Sequence, residues 1–269
     1  MSDVTPTSTY AFDNAWHREH DRVRAIEALF DQSTRGHLAD RGAALGGRCL
    51  EVGFGAGGVA RWMAQQVGAA GHVVAVDVDT RFGDASGWPQ LEIRQANILD
   101  GDLEEGYFDL AHARAVIEHI PEHEAAIERM IAAVRPGGWL VIEDVDFGGP
   151  TAAVLAKYVY PPQYQDIVER IFRAVEAVFR SIGASATFGP RLPGILKELG
   201  LTEVGGEVRA PIIPGGSSQF VSRSAEQLRP RLVETGLVTD EEVHAFLEMA
   251  ADPASDHLPP MLVSVWGRR

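Results

Sequence analysis

Two hydrophobic periods alternate along the central part of the chain, one typical of buried strands and the other of helices that pack on a sheet. Residues 49–52 form a short, mostly apolar run, which predicts a buried strand. The helical period follows at three- and four-residue spacing in Val59, Trp62, Met63 and Val67. Residues 72–76 are again apolar almost throughout, as in a parallel strand that helices cover on both faces. Residues 50–79 therefore predict a β-α-β unit.

The alternation of the two periods continues on both sides of this unit. Ahead of it, the spacing predicts two helices, over residues 12–30 and 33–45. Beyond it, strands are predicted over residues 91–95, 107–113, 139–144, 202–213 and 261–266. Helices are predicted over residues 122–134, 167–182, 191–199, 220–233 and 239–250. Strands that alternate with helices predict an α/β fold.

Length and composition indicate a globular protein. At 269 residues, the chain can build a core of about two hundred residues with added helical segments. Hydrophobic residues make up 45% and charged residues 23%, and no stretch is long and apolar enough to cross a bilayer. The first residues lack the basic start and apolar core of a secretory signal, and the one cysteine, Cys49, lies in a predicted buried strand. We therefore expect a cytoplasmic protein.

The charge balance bears on the choice of partner. The formal net charge is −14, from 24 basic and 38 acidic residues. A nucleic-acid binder needs a basic stripe that displaces counterions, and the sequence has no such stripe, so we expect no nucleic-acid partner. The acidic balance favours solubility and identifies no cationic substrate. We expect a small-molecule substrate and no membrane partner, and a homodimer stays open.

The glycine-rich turn after the first strand is the main candidate for ligand binding. Gly53, Gly55 and Gly58 let a ligand approach the backbone, and Asp77 ends the next strand, where it can accept hydrogen bonds from ribose hydroxyls. This spacing also fits a dinucleotide. Glu51 decides between the two, because a carboxylate ahead of the turn repels a pyrophosphate and attracts an ammonium and a sulfonium. The turn therefore favours S-adenosylmethionine over NAD.

The acid and the glycines of residues 51–57 resemble motif I of the class I S-adenosylmethionine-dependent methyltransferases. The segments FDL, residues 108–110, and RPGGWLVIE, residues 135–143, are similar to later motifs of the same family. The resemblance implies a doubly wound, Rossmann-like sheet of seven mostly parallel strands. Its last strand is expected to run antiparallel between the fifth and the sixth.

The resemblance also implies which residues bind the cofactor. Asp77 is expected at the ribose, with Asp79 as the alternative, and Asn97 lies where the family contacts the adenine amino group. Asn97 is also an ordinary turn residue, so both roles stay open for it. The expected cofactor site comprises Glu51, Gly53, Gly55, Gly57, Asp77, Val78, Asn97, Ile98 and Arg114.

Two helical regions flank the ligand edge of this predicted sheet. We expect an N-terminal helical cap in residues 1–45, a cofactor-binding core in 46–149, a helical lid in 150–200, and the remaining core with a helical insertion over 217–250 in 201–269. Aromatic side chains in the cap and the lid could line the substrate site, although packing roles are an alternative. These residues are Trp16, Tyr158, Tyr160 and Tyr164.

Methyl transfer mainly requires alignment of donor and acceptor and exclusion of water. An acceptor that loses a proton also needs a base, and His119 is the first candidate, followed by Asp144 and Asp146. The histidines show no metal-ligand spacing, so we expect no metal. The predicted function is methylation of a small molecule, in secondary metabolism. A cofactor-binding partner subunit without activity and an NAD-dependent oxidoreductase are the alternatives.

Overall fold

A seven-stranded sheet forms the centre of the protein in a computed structural model, which describes residues 11–269. The first ten residues of the predicted cap lie outside the described residues. The strands are β1 Arg48–Val52, β2 His72–Asp77, β3 Leu91–Gln95, β4 Phe108–Arg114, β5 Val134–Asp146, β6 Thr202–Arg209, β7 Ile213–Pro214, β8 Asp256–His257 and β9 Met261–Arg268. The main sheet has the order β3-β2-β1-β4-β5-β9-β6, and β7 pairs with β8 in a separate ribbon.

The direction of the strands confirms the predicted fold class. β1, β2, β3, β4 and β5 are parallel neighbours, while β9 runs antiparallel to both β5 and β6. The apolar runs of β1 and β2 are buried on both faces, as the sequence predicts. The strand order reverses between β1 and β4, and open α/β sheets bind ligands outside the carboxyl ends of the strands at this point.

Eight α-helices are found among residues 11–269. They are α1 Glu19–Ala39, α2 Gly58–Val67, α3 His123–Ala133, α4 Pro150–Ala156, α5 Gln165–Ser181, α6 Leu192–Glu198, α7 Phe220–Glu234 and α8 Asp240–Ala251. Short 3₁₀ helices occupy Ile117–His119, Pro162–Tyr164 and Gly189–Arg191. No helix in this part of the chain is both long and apolar enough to cross a membrane.

The cap helix, the insertion after β5 and the last two helices share one apolar cluster. Phe30 of α1, Phe172 of α5, Leu228 of α7 and Phe246 of α8 are all buried in it. Burying side chains of this size contributes about 1.5 to 3 kcal/mol each, so these helices stabilise one another above the carboxyl edge of the sheet.

Three predicted elements differ from the structure. Residues 19–39 form one helix instead of the end of one and the start of another, because Phe30, Thr34 and Leu38 continue a single buried stripe. β5 begins at Val134 rather than at residue 139, since the backbone of residues 137 and 138 pairs with Arg269. The predicted strand over 202–213 is interrupted after Arg209, and Ile213 pairs with β8.

Candidate active site

A cavity of about 440 Å³ lies at the carboxyl edge of the sheet, below α1 and beside the glycine turn. The ends of β1, β2 and β4 form its floor. Of the predicted cofactor residues, all but Gly57 line it, namely Glu51, Gly53, Gly55, Asp77, Val78, Asn97, Ile98 and Arg114. Gly57 lies next to the cavity as the residue ahead of α2.

The glycine turn places backbone where side chains would clash. Gly53 and Gly55 have φ angles of +71° and +56°, a region that favours glycine. A Cβ on Gly53 would lie 2.2 Å from Val116 Cγ2, and one on Gly55 would lie 2.7 Å from Val23 Cγ1. Both positions therefore need glycine for the backbone angle and for the space.

Asp77, at the end of β2, and Asp79 both line the cavity, but their partners differ. The oxygens of Asp77 accept hydrogen bonds from the backbone N–H groups of Gly55 at 3.2 Å and Asp79 at 3.0 Å. Burial raises the pKa of Asp77. Asp79 instead binds Arg81 at 2.6 Å, and this hydrogen bond lowers its pKa. Asp77 is thus the more available of the two for a ribose.

Asn97 makes the hydrogen bond of a turn residue and also lies at the cavity, and its contact with adenine stays a prediction. Its Oδ1 accepts the backbone N–H of Leu99 at 3.0 Å, which is the hydrogen bond of a turn residue, while the side chain also lines the cavity. The neighbouring Ile98 is buried and supplies an apolar wall. Val78 lines the same end of the cavity and is exposed.

The cap helix is attached directly to the first turn of α2. Glu27 of α1 accepts a hydrogen bond from the backbone N–H of Gly58 at 2.7 Å. Burial raises the pKa of Glu27, and the hydrogen bond from Gly58 opposes this shift. Because Glu27 also lines the cavity, α1 both covers the cavity and supplies a hydrogen-bond acceptor for a backbone N–H group in the first turn of α2.

A buried histidine lies between two glutamates below the cavity floor. His112 Nδ1 lies 2.6 Å from Glu51 Oε2, and His112 Nε2 lies 3.4 Å from Glu143 Oε2. Burial lowers the pKa of His112, but the two carboxylates outweigh it and raise the value to about 9. For Glu143, burial is outweighed by His112, and the pKa falls to about 2. His112 is therefore an imidazolium near neutral pH.

Arg114 belongs to this charged network. Its guanidinium donates to Thr34 Oγ1 at 2.9 Å and to Asp31 Oδ1 at 2.8 Å, and Thr34 in turn donates to Glu143. Sequence reasoning singled out Glu51 and Arg114 but missed His112 and Glu143. The available signal was a charged or titratable residue in the middle of two otherwise apolar strands.

A second, smaller chamber of about 70 Å³ adjoins the cavity. Both spaces share four lining residues, Arg22, Ile26, Ala115 and His119. Ala115 has a φ of +54°, a strained angle for a residue with a Cβ. Five phenylalanines line the chamber, namely Phe12, Phe147, Phe172, Phe179 and Phe220. The chamber is therefore apolar and aromatic.

His119 lies at the junction of the two spaces. Its ring packs against Phe179 at a centroid distance of 5.1 Å and against Phe12 at 6.3 Å. Burial, and then the charge of Arg22, lower the pKa of His119 to about 3. Its Nε2 lies 3.5 Å from Glu118 Oε1. His119 thus lines both spaces as a neutral imidazole, and its role in catalysis stays a prediction.

Asp144 and Asp146, the other predicted catalytic groups, line neither space. Asp144 is fully buried, and its Oδ1 accepts the backbone N–H of Val116 at 3.1 Å. Asp146 accepts a hydrogen bond from the hydroxyl of Thr151 at 2.7 Å. β5 continues two residues past the predicted end at 144, so Asp144 lies inside the strand and Asp146 is its last residue.

The predicted substrate-binding aromatics also lie outside both spaces. Tyr158 and Tyr160 are exposed, and Tyr164 packs against the apolar helical cluster. Trp16 packs edge-on against His17. The three tyrosines precede α5, which turns its phenylalanines to the chamber instead, and the cap contributes Phe12 in place of Trp16.

Comparison with known proteins identifies the family. Residues 17–173 match the family of methyltransferase domains. Methyltransferase str3 of Strobilurus tenacellus is 32% identical over 145 residues, 53% of this chain and 50% of that protein. Methyltransferase str2 of the same fungus is 28% identical over 193 residues, 69% of this chain and 65% of its own length. The matched part of the chain thus spans about half to two thirds of these relatives.

A solved structure agrees with the fold. The phosphoethanolamine N-methyltransferase 2 of Haemonchus contortus, solved with S-adenosyl-L-methionine, has a TM-score of 0.55 at 16% identity, over 95% of this chain and 58% of that one. The family match covers more than half of the chain. Together with the sheet order, it makes this chain a member of the class I S-adenosylmethionine-dependent methyltransferases.

Proposed function

We propose that this methyltransferase acts on a small, apolar acceptor that occupies the phenylalanine-lined chamber while the cofactor occupies the larger cavity. The observation that carries the proposal is the shared wall of the two spaces, formed by Arg22, Ile26, Ala115 and His119. In-line displacement needs the methyl carbon and the acceptor atom about 3 to 3.5 Å apart. Two adjoining spaces with one common boundary provide that approach.

The cofactor's orientation follows from the chemistry of the large cavity. Glu51 attracts the ammonium group of the cofactor, and Asp77 accepts hydrogen bonds from its ribose hydroxyls. Asn97 and Ile98 lie at the adenine end. The sulfonium then faces Ala115 and His119, which form the boundary with the chamber. A binding role for these residues is supported by their position around one cavity, and the variants below test it.

The chamber favours neutral acceptors. Five phenylalanines dominate its lining, and besides His119 the ionisable residues described there are Arg22 and Glu118. Arg22 already binds Glu19, and Glu118 already accepts the backbone N–H of Val145. Burying a further unpaired charge there is costly. A volume of about 70 Å³ is about half that of a cavity that binds benzene, so the reactive edge of an acceptor fits there and the rest must extend along α5 or into the larger cavity. Small aromatic compounds of secondary metabolism fit this description.

We infer that His119 helps to position the acceptor rather than acting as a strong base. A neutral imidazole with a pKa of about 3 is a weak base, but it can accept or donate one hydrogen bond at the boundary. Its packing between Phe12 and Phe179 fixes the ring. We infer that His119 orients the acceptor and helps to exclude water from the sulfonium.

The test is methyl transfer from isotopically labelled S-adenosylmethionine to a substrate panel, followed by mass spectrometry. The panel contrasts apolar phenols and aromatic amines with phosphoethanolamine and basic peptides. We expect label in the apolar compounds only. Label in the charged acceptors alone would refute the apolar acceptor class. Binding of S-adenosylhomocysteine without transfer to any compound would favour a partner subunit without activity.

A further inference from the structure

The acceptor chamber contains a buried carboxyl group that neither the sequence motifs nor the proposed function uses. Glu118 lies in the 3₁₀ helix Ile117–His119, directly after β4, and is only 3% exposed. Of the described residues that line the chamber, it is the one with a carboxyl group. Burying a carboxyl group among five phenylalanine rings costs free energy unless the group has a hydrogen-bond partner, so its presence suggests a function.

The partners of Glu118 are backbone and imidazole groups rather than cations. Its Oε2 accepts the backbone N–H of Val145 at 2.8 Å, and its Oε1 lies 3.5 Å from His119 Nε2. Arg22, the cation at the chamber boundary, donates two hydrogen bonds to Glu19, at 2.6 Å and 2.8 Å. The charge of Arg22 is thus already balanced within α1, and Glu118 keeps one oxygen toward His119.

A second carboxyl group supports Glu118 from behind the chamber. Asp144 is fully buried, and its Oδ2 has no hydrogen-bond partner among residues 11–269. Burial, and then the charge of Asp144, raise the pKa of Glu118, while burial raises that of Asp144. The raised pKa makes the Glu118 carboxylate a stronger proton acceptor than an exposed glutamate, and the charge of Asp144 adds to this effect.

We propose that Glu118, supported by Asp144, takes up the proton of a hydroxyl acceptor during methyl transfer. The inference rests on the proposed function, because it needs the acceptor in the chamber. The acceptor oxygen forms the bond to the methyl carbon, and the bond from that carbon to sulfur breaks with its electron pair left on sulfur. The hydroxyl proton moves to Glu118. The products are a methyl ether, S-adenosylhomocysteine and a protonated Glu118.

Charge balance explains why this arrangement suits a buried site. Before transfer, a sulfonium cation lies on one side of the shared wall and the Glu118 carboxylate on the other. After transfer, the sulfide and the carboxyl group are both neutral. Charges are expensive where water is excluded, so a step that removes one of each sign is favoured in this chamber. The substrate class that needs Glu118 is therefore an apolar phenol or alcohol, whereas methylation of a tertiary amine, which has no proton to lose, does not depend on it.

The experiment compares two acceptors of similar size, 4-ethylphenol, which must lose a proton, and N,N-dimethylaniline, which has none to lose. The variant is Glu118→Gln, whose amide oxygen can still accept the N–H of Val145. We expect the turnover rate with 4-ethylphenol to fall by about a hundredfold or more. The rate with N,N-dimethylaniline should stay close to wild type, and the affinity for S-adenosylhomocysteine should not change. Glu128→Gln, at an exposed position of α3, serves as the matched control.

Asp144→Asn provides a second variant and should also lower the rate with 4-ethylphenol selectively. Equal losses with both acceptors would show that Glu118 only supports the structure and would overturn the proposal. An unchanged rate with 4-ethylphenol, or a wild-type protein that methylates only the amine, would also overturn it and leave the proposed function intact. A wild-type protein that binds S-adenosylhomocysteine but methylates no compound of the wider panel refutes the proposed function itself.

Discussion

Replacement of Asp77 by alanine tests the placement of the cofactor most directly. Two backbone N–H groups already bind the Asp77 carboxylate, at 3.2 Å and 3.0 Å, and Asp77 lines the cavity. A hydrogen bond to a charged group contributes about 1.5 to 3 kcal/mol, which corresponds to a factor of about 10 to 100 in affinity. We expect the affinity of Asp77→Ala for S-adenosylhomocysteine to fall by that factor.

Isothermal titration calorimetry at a fixed pH and salt concentration measures this loss. Asp79→Ala is the matched control, because Asp79 is already bound to Arg81 and should change the affinity by less than about threefold. Asp77→Asn, which keeps one oxygen acceptor, should fall between the two. Wild-type affinity in Asp77→Ala together with a large loss in Asp79→Ala would refute the assignment and move the ribose contact to Asp79.

Four further predictions concern the buried charges and the chamber. His112→Asn leaves Glu51 and Glu143 without their cation and should lower the free energy of unfolding by about 3 to 5 kcal/mol, measured with urea at pH 7. The raised pKa of His112, about 9, means that its contribution is full below about pH 6.5 and is lost as the pH rises through 9, so wild-type unfolding at pH 7 and pH 10 should show this decline. Because the pKa of His119 is lowered to about 3, the rate should show no inflection between pH 6 and 7; one that disappears in His119→Ala would contradict the buried, neutral imidazole. Phe172→Leu should enlarge the chamber and lower the KM for bulkier phenols, and an unchanged preference for size would place the acceptor elsewhere.

The sheet was predictable because its signal is local. Each central strand is a short apolar run between turn residues, and burial on both faces leaves little choice of residue type. The continuity of α1 through its middle was less predictable. Asp31, Gln32 and Ser33 look like a break between two helices, but the side chain of Asp31 binds Arg35 and Arg114, and the helix continues through it. Tertiary contacts decided this boundary.

The distinction between local and tertiary signals also applies to the site. The glycine turn and Asp77 come from one β-α-β unit, so their spacing alone places them around one cavity. The acceptor chamber is assembled from separate segments, with Phe12 ahead of α1, Phe147 after β5, Phe172 in α5 and Phe220 at the start of α7. No local pattern relates these residues. The chemistry of tyrosine predicts instead a substrate role for the residues ahead of α5, although Tyr158 and Tyr160 are exposed and Tyr164 packs against the helical cluster.

The hydrogen bond from Gly58 to Glu27 has a consequence for which cofactors can enter. In dinucleotide-binding proteins, the start of the helix after the glycine turn is the seat of the pyrophosphate. Here the carboxylate of Glu27, on the cap helix, already lies at that position, with its Oε1 2.7 Å from the backbone N of Gly58. The Glu27 carboxylate therefore competes with any anionic ligand, such as a pyrophosphate, for the N–H groups at the turn. The choice of cofactor therefore depends on the cap helix as well as on the glycine turn. A change that displaced α1 would remove both the Glu27 carboxylate from the start of α2 and the helix that covers the cavity.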